Sequence, residues 1–288
     1  MGVRYHRVGI AGTGRVARAM ALALAPRSAE AVMIWGRSPD RAREASAAVG
    51  GTSADGLGDL AARCDLILVA VADDALPSIV ADLAAALPQG TEPFVCHVSG
   101  GSGAGLLAPL HARGALIAAV HPAMTFTGDA AQEALRMAGA RFAITAPDAE
   151  ALAEARTLVG LLGGVAVAVA EDHRPLYHAA LCHAANHLVT LLAGASQALR
   201  VAGADEPEAL LAPLVRAALE NGLDRGFAAL SGPLLRGDGA TIAAHLAAIA
   251  RDCPDLLPAY RAMATATIDE LARTGAAPSP ALRTLLKG

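Results

Sequence analysis

The stretch RVGIAGTGRVA at residues 7–17 decides the fold of this chain. An apolar run predicts a strand, a glycine-rich turn follows it, and the run ARAMALALA then predicts a helix. In this G-x-G-x-x-A pattern Gly12 permits a tight turn, Gly14 lets a ligand approach the backbone, and Ala17 lets the helix pack closely on the strand. The stretch therefore predicts the first strand–turn–helix unit of a doubly wound α/β domain.

The same loop predicts a binding site for a dinucleotide. The backbone N–H groups of Arg15 and Val16 lie at the start of the predicted helix, where the helix dipole favours a pyrophosphate. Thr13 lies between the two glycines of the loop. The alternative is a glycine-rich turn that binds no ligand. The agreement of strand, loop, helix and second strand favours the binding site.

The end of the second predicted strand, residues 32–35, favours NADP(H) over NAD(H). An NAD site usually places Asp or Glu about 20 residues beyond the glycine motif, where it binds the ribose 2′-hydroxyl. Here Arg37 and Ser38 follow the strand, and the first acid is Asp40. An arginine fork binds a 2′-phosphate, a serine hydroxyl adds a hydrogen bond, and Arg41 is a possible second cation. The alternative is that Arg37 is a solvated turn residue and that Ser38 or Asp40 caps the next helix.

The chain changes character near residue 170. Before that point, short β-branched runs alternate with helical Ala/Leu stretches, at residues 7–11, 32–35, 66–72, 93–98, 116–120, 141–145 and 165–169. Such runs predict a parallel sheet covered on both faces. Beyond it the pattern is helical, at residues 175–201, 207–221, 241–251 and 256–273. We predict an NADP-binding Rossmann domain at 1–172 and an all-helical substrate and dimerisation domain at 173–288.

The carboxyl ends of three later strands should complete the ligand crevice, because open α/β sheets bind ligands there. Val71, Ala72 and Asp73 end one strand and are predicted to contact the cofactor. Ser99 follows the next strand. It either forms a hydrogen bond with the substrate carboxylate or the nicotinamide amide, or it is a plain turn residue. His121 ends a third strand just before a proline, where it either faces the crevice or serves a rigid turn.

Composition and charge exclude several classes of protein. The 288 residues carry 23 Lys+Arg against 27 Asp+Glu with no basic block, so nucleic acid is not an expected partner. The widely spaced cysteines form no C-x-x-C pair, which predicts reduced thiols and no zinc knuckle. We find no signal peptide and no apolar stretch of the roughly 18–20 residues that spans a bilayer. A cytoplasmic protein without a membrane partner is expected.

Six motifs occur in order along nearly the whole chain: VGIAGTGRVA, LILVAVADDAL, HVSGGSG, HPAMTF, LYHAALCHAANHLVTLL and SGPLLRGD, with His245 following. Together they resemble a two-domain family of Rossmann-like proteins whose helical C-terminal half long bore only an unknown-function label. Some members are an alternative type of ketopantoate reductase in pantothenate biosynthesis. More distantly the layout is similar to phosphogluconate dehydrogenase, β-hydroxyacid dehydrogenases and pyrroline-carboxylate reductase.

The resemblance implies an NADP(H)-dependent oxidoreductase that reduces a small keto acid, with 2-dehydropantoate, reduced to pantoate, as the first substrate to test. It also implies a homodimer, since these relatives commonly dimerise through their helices. Two alternatives stay open. One is an imine reductase of the pyrroline-carboxylate type, and the other is a sensor or scaffold that binds NADP without chemistry.

The proton donor is an open question, because Lys287 is the only lysine in the chain. The hydroxyacid dehydrogenases carry a lysine three or four residues before an asparagine on the first long helix of the second domain. Here Asn186 is present, and the preceding positions are Cys182 and His183. His178, Cys182 and Asn186 share one helical stripe, and His183 lies about 4.5 Å along the axis from Asn186. Either histidine is a candidate general acid near neutral pH, or it is simply a packed residue.

Further candidate site residues are Arg236, Cys182 and the pair His183 and His187. Arg236 either binds a substrate carboxylate or braces a turn in which Asp238 caps the next helix. Cys182 lacks the partners of an acyl-transfer nucleophile. His183 and His187 are four residues apart, but no H-E-x-x-H pattern or acidic third ligand accompanies them, so no metal is expected.

Overall fold

The computed structural model describes residues 2–275 and 280–287. Its strands are β1 Val8–Ala11, β2 Met33–Trp35, β3 Thr52–Ser53, β4 Leu66–Val69, β5 Phe94–His97, β6 Leu116–Pro122, β7 Arg141–Thr145 and β8 Val165–Ala168. The helices among them are α1 Arg15–Leu24, α2 Pro39–Val49, α3 Leu57–Arg63, α4 Leu76–Ala86, α5 Ala108–His111, α6 Ala130–Arg136 and α7 Ala149–Leu161. The later helices are α8 Arg174–Val201, α9 Pro207–Arg225, α10 Pro233–Arg236, α11 Gly239–Asp252, α12 Leu257–Arg273 and α13 Pro280–Lys287.

The strands form one eight-stranded sheet in the order β3-β2-β1-β4-β5-β6-β7-β8. Its first six strands are parallel, with the order reversing direction between β1 and β4. This is the Rossmann arrangement, so the predicted fold class is confirmed. The expectation of a wholly parallel sheet was wrong at one junction, because β7 pairs with β6 in the antiparallel direction. The composition of a strand does not encode its direction. The chain through α6 is short, and β7 begins beside the end of β6, so the two strands run in opposite directions.

The central strands are buried on both faces because helices cover the sheet from two sides. In β4, Leu66 and Leu68 face the cluster that contains α1 and α7, whereas Ile67 and Val69 face the cluster that contains α3 and α4. This alternation is the period of two that a strand imposes on its side chains. The near-continuous apolar runs of the sequence therefore reflect a strand buried on both sides.

The predicted strand at 66–72 ends earlier than expected. β4 stops at Val69, and one further ladder bond runs from Ala70 N–H to the carbonyl of Ala11, at 2.8 Å. The chain then enters a turn closed by the Ala75 N–H and the Ala72 carbonyl, at 2.9 Å. Val71, Ala72 and Asp73 thus lie in the loop after β4.

Residue contacts divide the chain into two compact units, Met1–Cys182 and His183–Gly288. The division falls within α8, and the domain boundary at 172/173 stays a prediction. In the second unit α11, α12 and α13 share a small apolar core, made of Ile242, Leu246, Ala264, Ile268, Leu282 and Leu286. The predicted helix at 207–221 continues to Arg225 and ends at Gly226, which has a φ of 58°. Nothing in the sequence patterns predicted α13.

No helix within the described part of the chain is long and apolar enough to cross a membrane.

Candidate functional site

The loop after β1 has a geometry that only glycine permits at its first position. Gly12 has a φ of +138° and donates a hydrogen bond to the carbonyl of Trp35 at 2.8 Å. A Cβ on Gly12 would lie 2.1 Å from the carbonyl oxygen of Ala70, so any larger residue would force β1 and β4 apart. A Cβ on Gly14 would meet no atom within 4 Å. The backbone at Gly14 is therefore open to a ligand.

A crevice of about 910 Å³ opens over this loop. Its walls come from the carboxyl ends of β1, β2 and β4 and from the first turns of α1 and α2. The predicted cofactor residues that line it are Gly12, Thr13, Gly14, Arg15, Arg37, Ser38, Val71 and Ala72. Val16 and Asp73 are not among the lining residues: Val16 packs against the core and Asp73 is exposed to solvent. The size and concavity suit a small-molecule ligand.

Positive charge gathers where the crevice reaches the end of β2. Arg37 and Arg41 both line it, and within residues 2–275 and 280–287 neither guanidinium has an ion pair or hydrogen bond. Asp40 pairs instead with Arg43. Ser38 caps α2 by accepting a hydrogen bond from the Arg41 N–H at 3.4 Å, so one of the two capping alternatives is observed. Two unpaired cations and a helix N-terminus together favour a dianion.

The loop after β6 closes against the glycine-rich loop. Arg15 donates a hydrogen bond to the carbonyl of Phe126 at 3.4 Å, and Gly128 lines the crevice. Buried Glu133, in the first turn of α6, holds this loop by accepting hydrogen bonds from the N–H groups of Thr127 and Gly128. The contacts fix one wall of the crevice.

A second group of residues lies at the ends of β5 and β6, beside the first turns of α8. The His121 ring meets the rings of Tyr177 and His178 edge to face, with centroids 5.7 Å and 5.9 Å apart. A Cβ on Gly100 would lie 2.6 Å from His178 Cδ2 and 2.9 Å from His121 Nε2, so both imidazoles rest directly on the Gly100 backbone. We refer to His121, Tyr177, His178 and Gly100 as the ring cluster. It brings together two of the five predicted catalytic residues, His121 and His178.

Burial keeps His121 uncharged. Its Nδ1 lies 2.9 Å from the Tyr177 hydroxyl. Desolvation is the main cause that lowers the pKa of His121 to about 4, and the charges of Arg174 and His178 lower it further. His121 is therefore a neutral hydrogen-bonding group at neutral pH, not a store of protons.

Ser99 supports the backbone beside the ring cluster. The residue is buried, its N–H donates to Nδ1 of His97 at 3.2 Å, and its hydroxyl accepts from the Ser102 N–H at 3.3 Å. His97 is fully buried with Nε2 2.9 Å from the Gly103 carbonyl, and burial lowers its pKa. The bond from the Ser102 N–H is one that a turn residue makes, and it leaves the O–H of Ser99 free to donate, so the role of Ser99 stays a prediction.

Two models of known protein families match the chain. Residues 2–122 match the model of a Rossmann-like domain, and residues 140–267 match that of a domain of unknown function, DUF2520. The two models match successive parts of the chain. Apart from Gly128, the residues that line the crevice fall within the Rossmann-like match, whereas Tyr177 and His178 fall within the DUF2520 match. A search among curated protein sequences found no match to the chain.

Solved structures share the two-part architecture at low sequence identity. A Bacteroides fragilis protein provisionally named an NADP oxidoreductase has a TM-score of 0.76 and 19% identity, covering 92% of this chain and 98% of its own. A reductive aminase from Aspergillus terreus, in complex with NADPH and ethyl-5-oxohexanoate, has a TM-score of 0.68 and 18% identity, covering 100% and 99%. An imine reductase from the same organism, with dibenz[c,e]azepine, has a TM-score of 0.63 and 17% identity, covering 99% of each chain. At these identities the likeness establishes the fold alone.

The other predicted catalytic residues lie further along α8 in the DUF2520 domain. Asn186 and His183 are both exposed and belong to the second compact unit. Nδ1 of His183 lies 3.1 Å from Nδ1 of His187. The described residues contain no group of three or more His, Cys, Asp or Glu side chains that could hold a metal ion. The roles of Asn186 and His183 stay predictions.

Residues 236–238 agree in part with the alternative in which Asp238 caps the next helix and Arg236 braces the turn. Asp238 caps α11, accepting from the Thr241 N–H at 3.0 Å and from the Thr241 hydroxyl at 2.7 Å. Arg236 is exposed at the end of α10. Cys182 lies 3.6 Å from Nε2 of His178, and that single contact does not make an acyl-transfer site.

Three residues of the site were not identified from the sequence as candidates. Tyr177 directly precedes His178, and only the fold reveals that its hydroxyl meets His121. His97 could have been noticed as a polar residue within an apolar strand. Arg174 gave no signal, since an arginine before a helical proline is typical of an exposed helix start.

Proposed function

We propose that this protein is an NADP(H)-dependent oxidoreductase that reduces a small keto acid, with 2-dehydropantoate as the first substrate to test. One observation carries the proposal. The crevice lies at the carboxyl ends of β1, β2 and β4, and the ring cluster lies at the ends of the adjoining strands β5 and β6. Neighbouring strands are about 4.8 Å apart, so a ligand in the crevice lies within one ligand length of the rings.

The residues of the crevice fit a dinucleotide phosphate. The tight turn at Gly12 and the open backbone at Gly14 suit a pyrophosphate, and the unpaired Arg37 and Arg41 suit a 2′-phosphate. Structures with the same fold include a reductive aminase in complex with NADPH. When bound, the cofactor supplies a hydride at the edge of its nicotinamide ring.

The chain itself must position the carbonyl and supply a proton to its oxygen. Tyr177 carries an O–H beside the neutral His121, and His178 packs against the same ring. We propose that the Tyr177 hydroxyl and one of His178 and His183 are the groups to test as donors, and that Asn186 orients the substrate. The Ser99 hydroxyl accepts a hydrogen bond from the Ser102 N–H and keeps its own O–H to donate to a ligand.

The charge around the ring cluster supports an anionic substrate. Among the charged groups that shift the pKa of His121, Arg174 has a larger effect than Asp73, so the local field is positive. A positive field stabilises a carboxylate and the negative charge that develops on a carbonyl oxygen during reduction. The same field opposes an iminium cation. A keto acid is therefore the better match.

Imine reduction is the second candidate, and a separate observation favours it. The only lysine is Lys287, so the chain has no internal ammonium group to polarise a ketone. A protonated imine already carries its proton and needs no such group. A reductive aminase and an imine reductase are among the proteins that share the fold.

A screen of NADPH oxidation separates these functions from a sensor that only binds the cofactor. The purified protein is offered 2-dehydropantoate, other 2-keto acids of similar size, their methyl esters and five- and six-membered cyclic imines. We expect turnover with a keto acid and at least tenfold lower kcat/KM with its uncharged ester. Turnover confined to cyclic imines would select the second candidate, and tight NADPH binding without any turnover would select the sensor.

We also propose a homodimer. Leu210, Leu214, Leu219 and Leu223 of α9 are between 49% and 79% exposed in the single chain. Exposed apolar side chains in such number on one helix are typical of an interface. Light scattering at micromolar concentration should give twice the mass of one chain, and the monomer mass would contradict this part of the proposal.

A further inference from the structure

Arg174, the first residue of α8, is fully buried and bonded to β6, to β7 and to the loop after β5. Nη2 donates to the carbonyls of Ala119 at 2.9 Å and Ala143 at 3.1 Å, and Nη1 donates to the carbonyl of Ser99 at 3.5 Å. Nε donates to the Thr145 hydroxyl at 2.8 Å. One side chain thus joins the loop after β5 and the neighbouring strands β6 and β7 to the start of α8.

The guanidinium of Arg174 has no carboxylate partner within 4.0 Å in the part of the chain that the structure describes. Burial lowers its pKa, with Tyr177 and Glu171 opposing the shift, but an arginine stays charged in proteins. A buried charge without a counter-ion costs stability and is usually replaced by an apolar residue or paired. Its four acceptors are all neutral, so this position holds a net positive charge beneath the ring cluster.

The contacts of Arg174 reach both sides of the ring cluster. Ser99 directly precedes Gly100, on which the two imidazoles rest, and Ala119 lies two residues before His121 in β6. On α8, Tyr177 and His178 are three and four residues after Arg174, which places all three on one helix face. The guanidinium carbon lies 5.8 Å from the centre of the Tyr177 ring.

We propose that Arg174 is a positioning residue for the ring cluster: its guanidinium fixes the His121–Tyr177 pair in place and makes the site prefer anionic substrates. The substrate preference rests on the proposed function, whereas the effect on His121 does not. Arg174 itself is buried and touches neither substrate nor cofactor. It acts through the backbone of Ser99 and Ala119 and through its charge.

The charge effect can be measured on His121 without substrate. The charged or titratable groups that act on this imidazole are Arg174, His178, His97 and Asp73, and Tyr177 is its hydrogen-bond partner. Arg174 is the one of these that carries a full positive charge at every accessible pH. Its removal should therefore make His121 easier to protonate.

The experiment compares Arg174→Lys, which keeps the charge but loses the fork, with Arg174→Met, which loses both. Histidine NMR titration follows His121, assigned by the signal missing in His121→Gln. In the unaltered protein His121 should stay neutral until about pH 4. Arg174→Met should raise the titration midpoint of His121 by about one pH unit, and Arg174→Lys should raise it by clearly less. Arg113→Met is the matched control, because Arg113 also bonds a carbonyl, that of Leu87 at 2.7 Å, and should leave the midpoint unchanged.

Kinetics supply the second readout. Arg174→Met should lower kcat/KM for the keto acid about tenfold more than for its methyl ester, and the Kd for NADPH should not change. Arg174→Lys should lower kcat/KM for the keto acid less than Arg174→Met does. Equal losses for acid and ester, or an unshifted His121 midpoint in a folded Met variant, would overturn the proposal. If the Met variant does not fold, the unaltered protein still decides: a His121 midpoint near 6.5 would refute a positive field at this position. If no substrate is turned over but His121 shifts, the proposed function fails and the role of Arg174 stands.

Discussion

The Tyr177 hydroxyl lies 2.9 Å from Nδ1 of His121, and this contact joins the first turn of α8 to the penultimate residue of β6. The two rings are nearly perpendicular, at 84°. Burial raises the pKa of Tyr177 and lowers that of His121, so both groups are neutral at physiological pH and share a single hydrogen-bonding proton. If Tyr177 gives its proton to a substrate, the phenolate left behind lies near the positive charge of Arg174, whose guanidinium carbon is 5.8 Å from the centre of the Tyr177 ring.

Tyr177→Phe tests whether the hydroxyl of this pair takes part in reduction. The variant keeps the ring against Arg174 and removes only the O–H. We expect kcat/KM to fall about 10²-fold, equivalent to about 2.7 kcal/mol of transition-state stabilisation, with an unchanged Kd for NADPH. The matched control is Tyr260→Phe, because the Tyr260 hydroxyl also bonds a histidine Nδ1, that of His245 at 2.8 Å. Equal kcat/KM values for both variants would exclude Tyr177 as a donor.

Arg37→Asp tests the cofactor preference. Two unpaired guanidinium groups line the crevice beside β2, so NADPH should bind at least about tenfold more tightly than NADH, or about 1.4 kcal/mol. The aspartate would face the 2′-phosphate with a like charge and should remove this preference. Fluorescence titration with both cofactors measures it. Arg43→Gln is the control: Arg43 lies on α2, the helix that follows Arg37, pairs with Asp40 and does not line the crevice, so the preference should persist.

The two loop glycines should respond differently to alanine. Gly12→Ala places a Cβ 2.1 Å from the Ala70 carbonyl at a φ of +138°, and should lower the free energy of unfolding by about 2 kcal/mol or more. Gly14→Ala meets no atom within 4 Å and adopts an allowed φ of −74°, so stability should hardly change. It should nevertheless weaken NADPH binding about tenfold, because the methyl group occupies the approach of the pyrophosphate. Thermal melts without cofactor and titrations with it separate the two effects.

Acid should destabilise the protein through His121. The folded-state pKa of this residue is about 4, against about 6.5 in an unfolded chain, so the unfolded state binds more protons between these values. The contribution to stability is complete above pH 6.5 and is lost as the pH falls from 6.5 towards 4. After allowance for partial solvent screening it amounts to about 1–2 kcal/mol.

Urea denaturation at several pH values tests this, with His121→Gln as the comparison. The glutamine variant should show a shallower loss of unfolding free energy between pH 6.5 and 4. A remaining slope is expected from His97, whose pKa burial also lowers. Parallel pH curves for the two proteins would show that the pKa of His121 is the same in the folded and unfolded states, which would contradict this prediction.

Local sequence patterns predicted most of the secondary structure and the part of the site that lies along the cofactor crevice. The helix predicted at 175–201 occurs as Arg174–Val201, and the predicted strand at 141–145 occurs with those bounds. The cofactor loop and the Arg37–Ser38 pair were identifiable because each depends on consecutive residues. The reversed direction of β7 was not, since pairing direction depends on the path of the connecting chain.

By itself, the sequence determined the order of most strands and helices, the glycine-rich turn and the basic residues that face it, because hydrophobic period and turn chemistry act over a few neighbouring residues. The tertiary structure alone decided the ring cluster and the place of Arg174. The guanidinium bonds residues 29 to 75 positions away in the chain, at Thr145, Ser99, Ala119 and Ala143. Such partners meet only when the sheet has assembled in its final order, since each strand's neighbours are set by the packing of the whole domain.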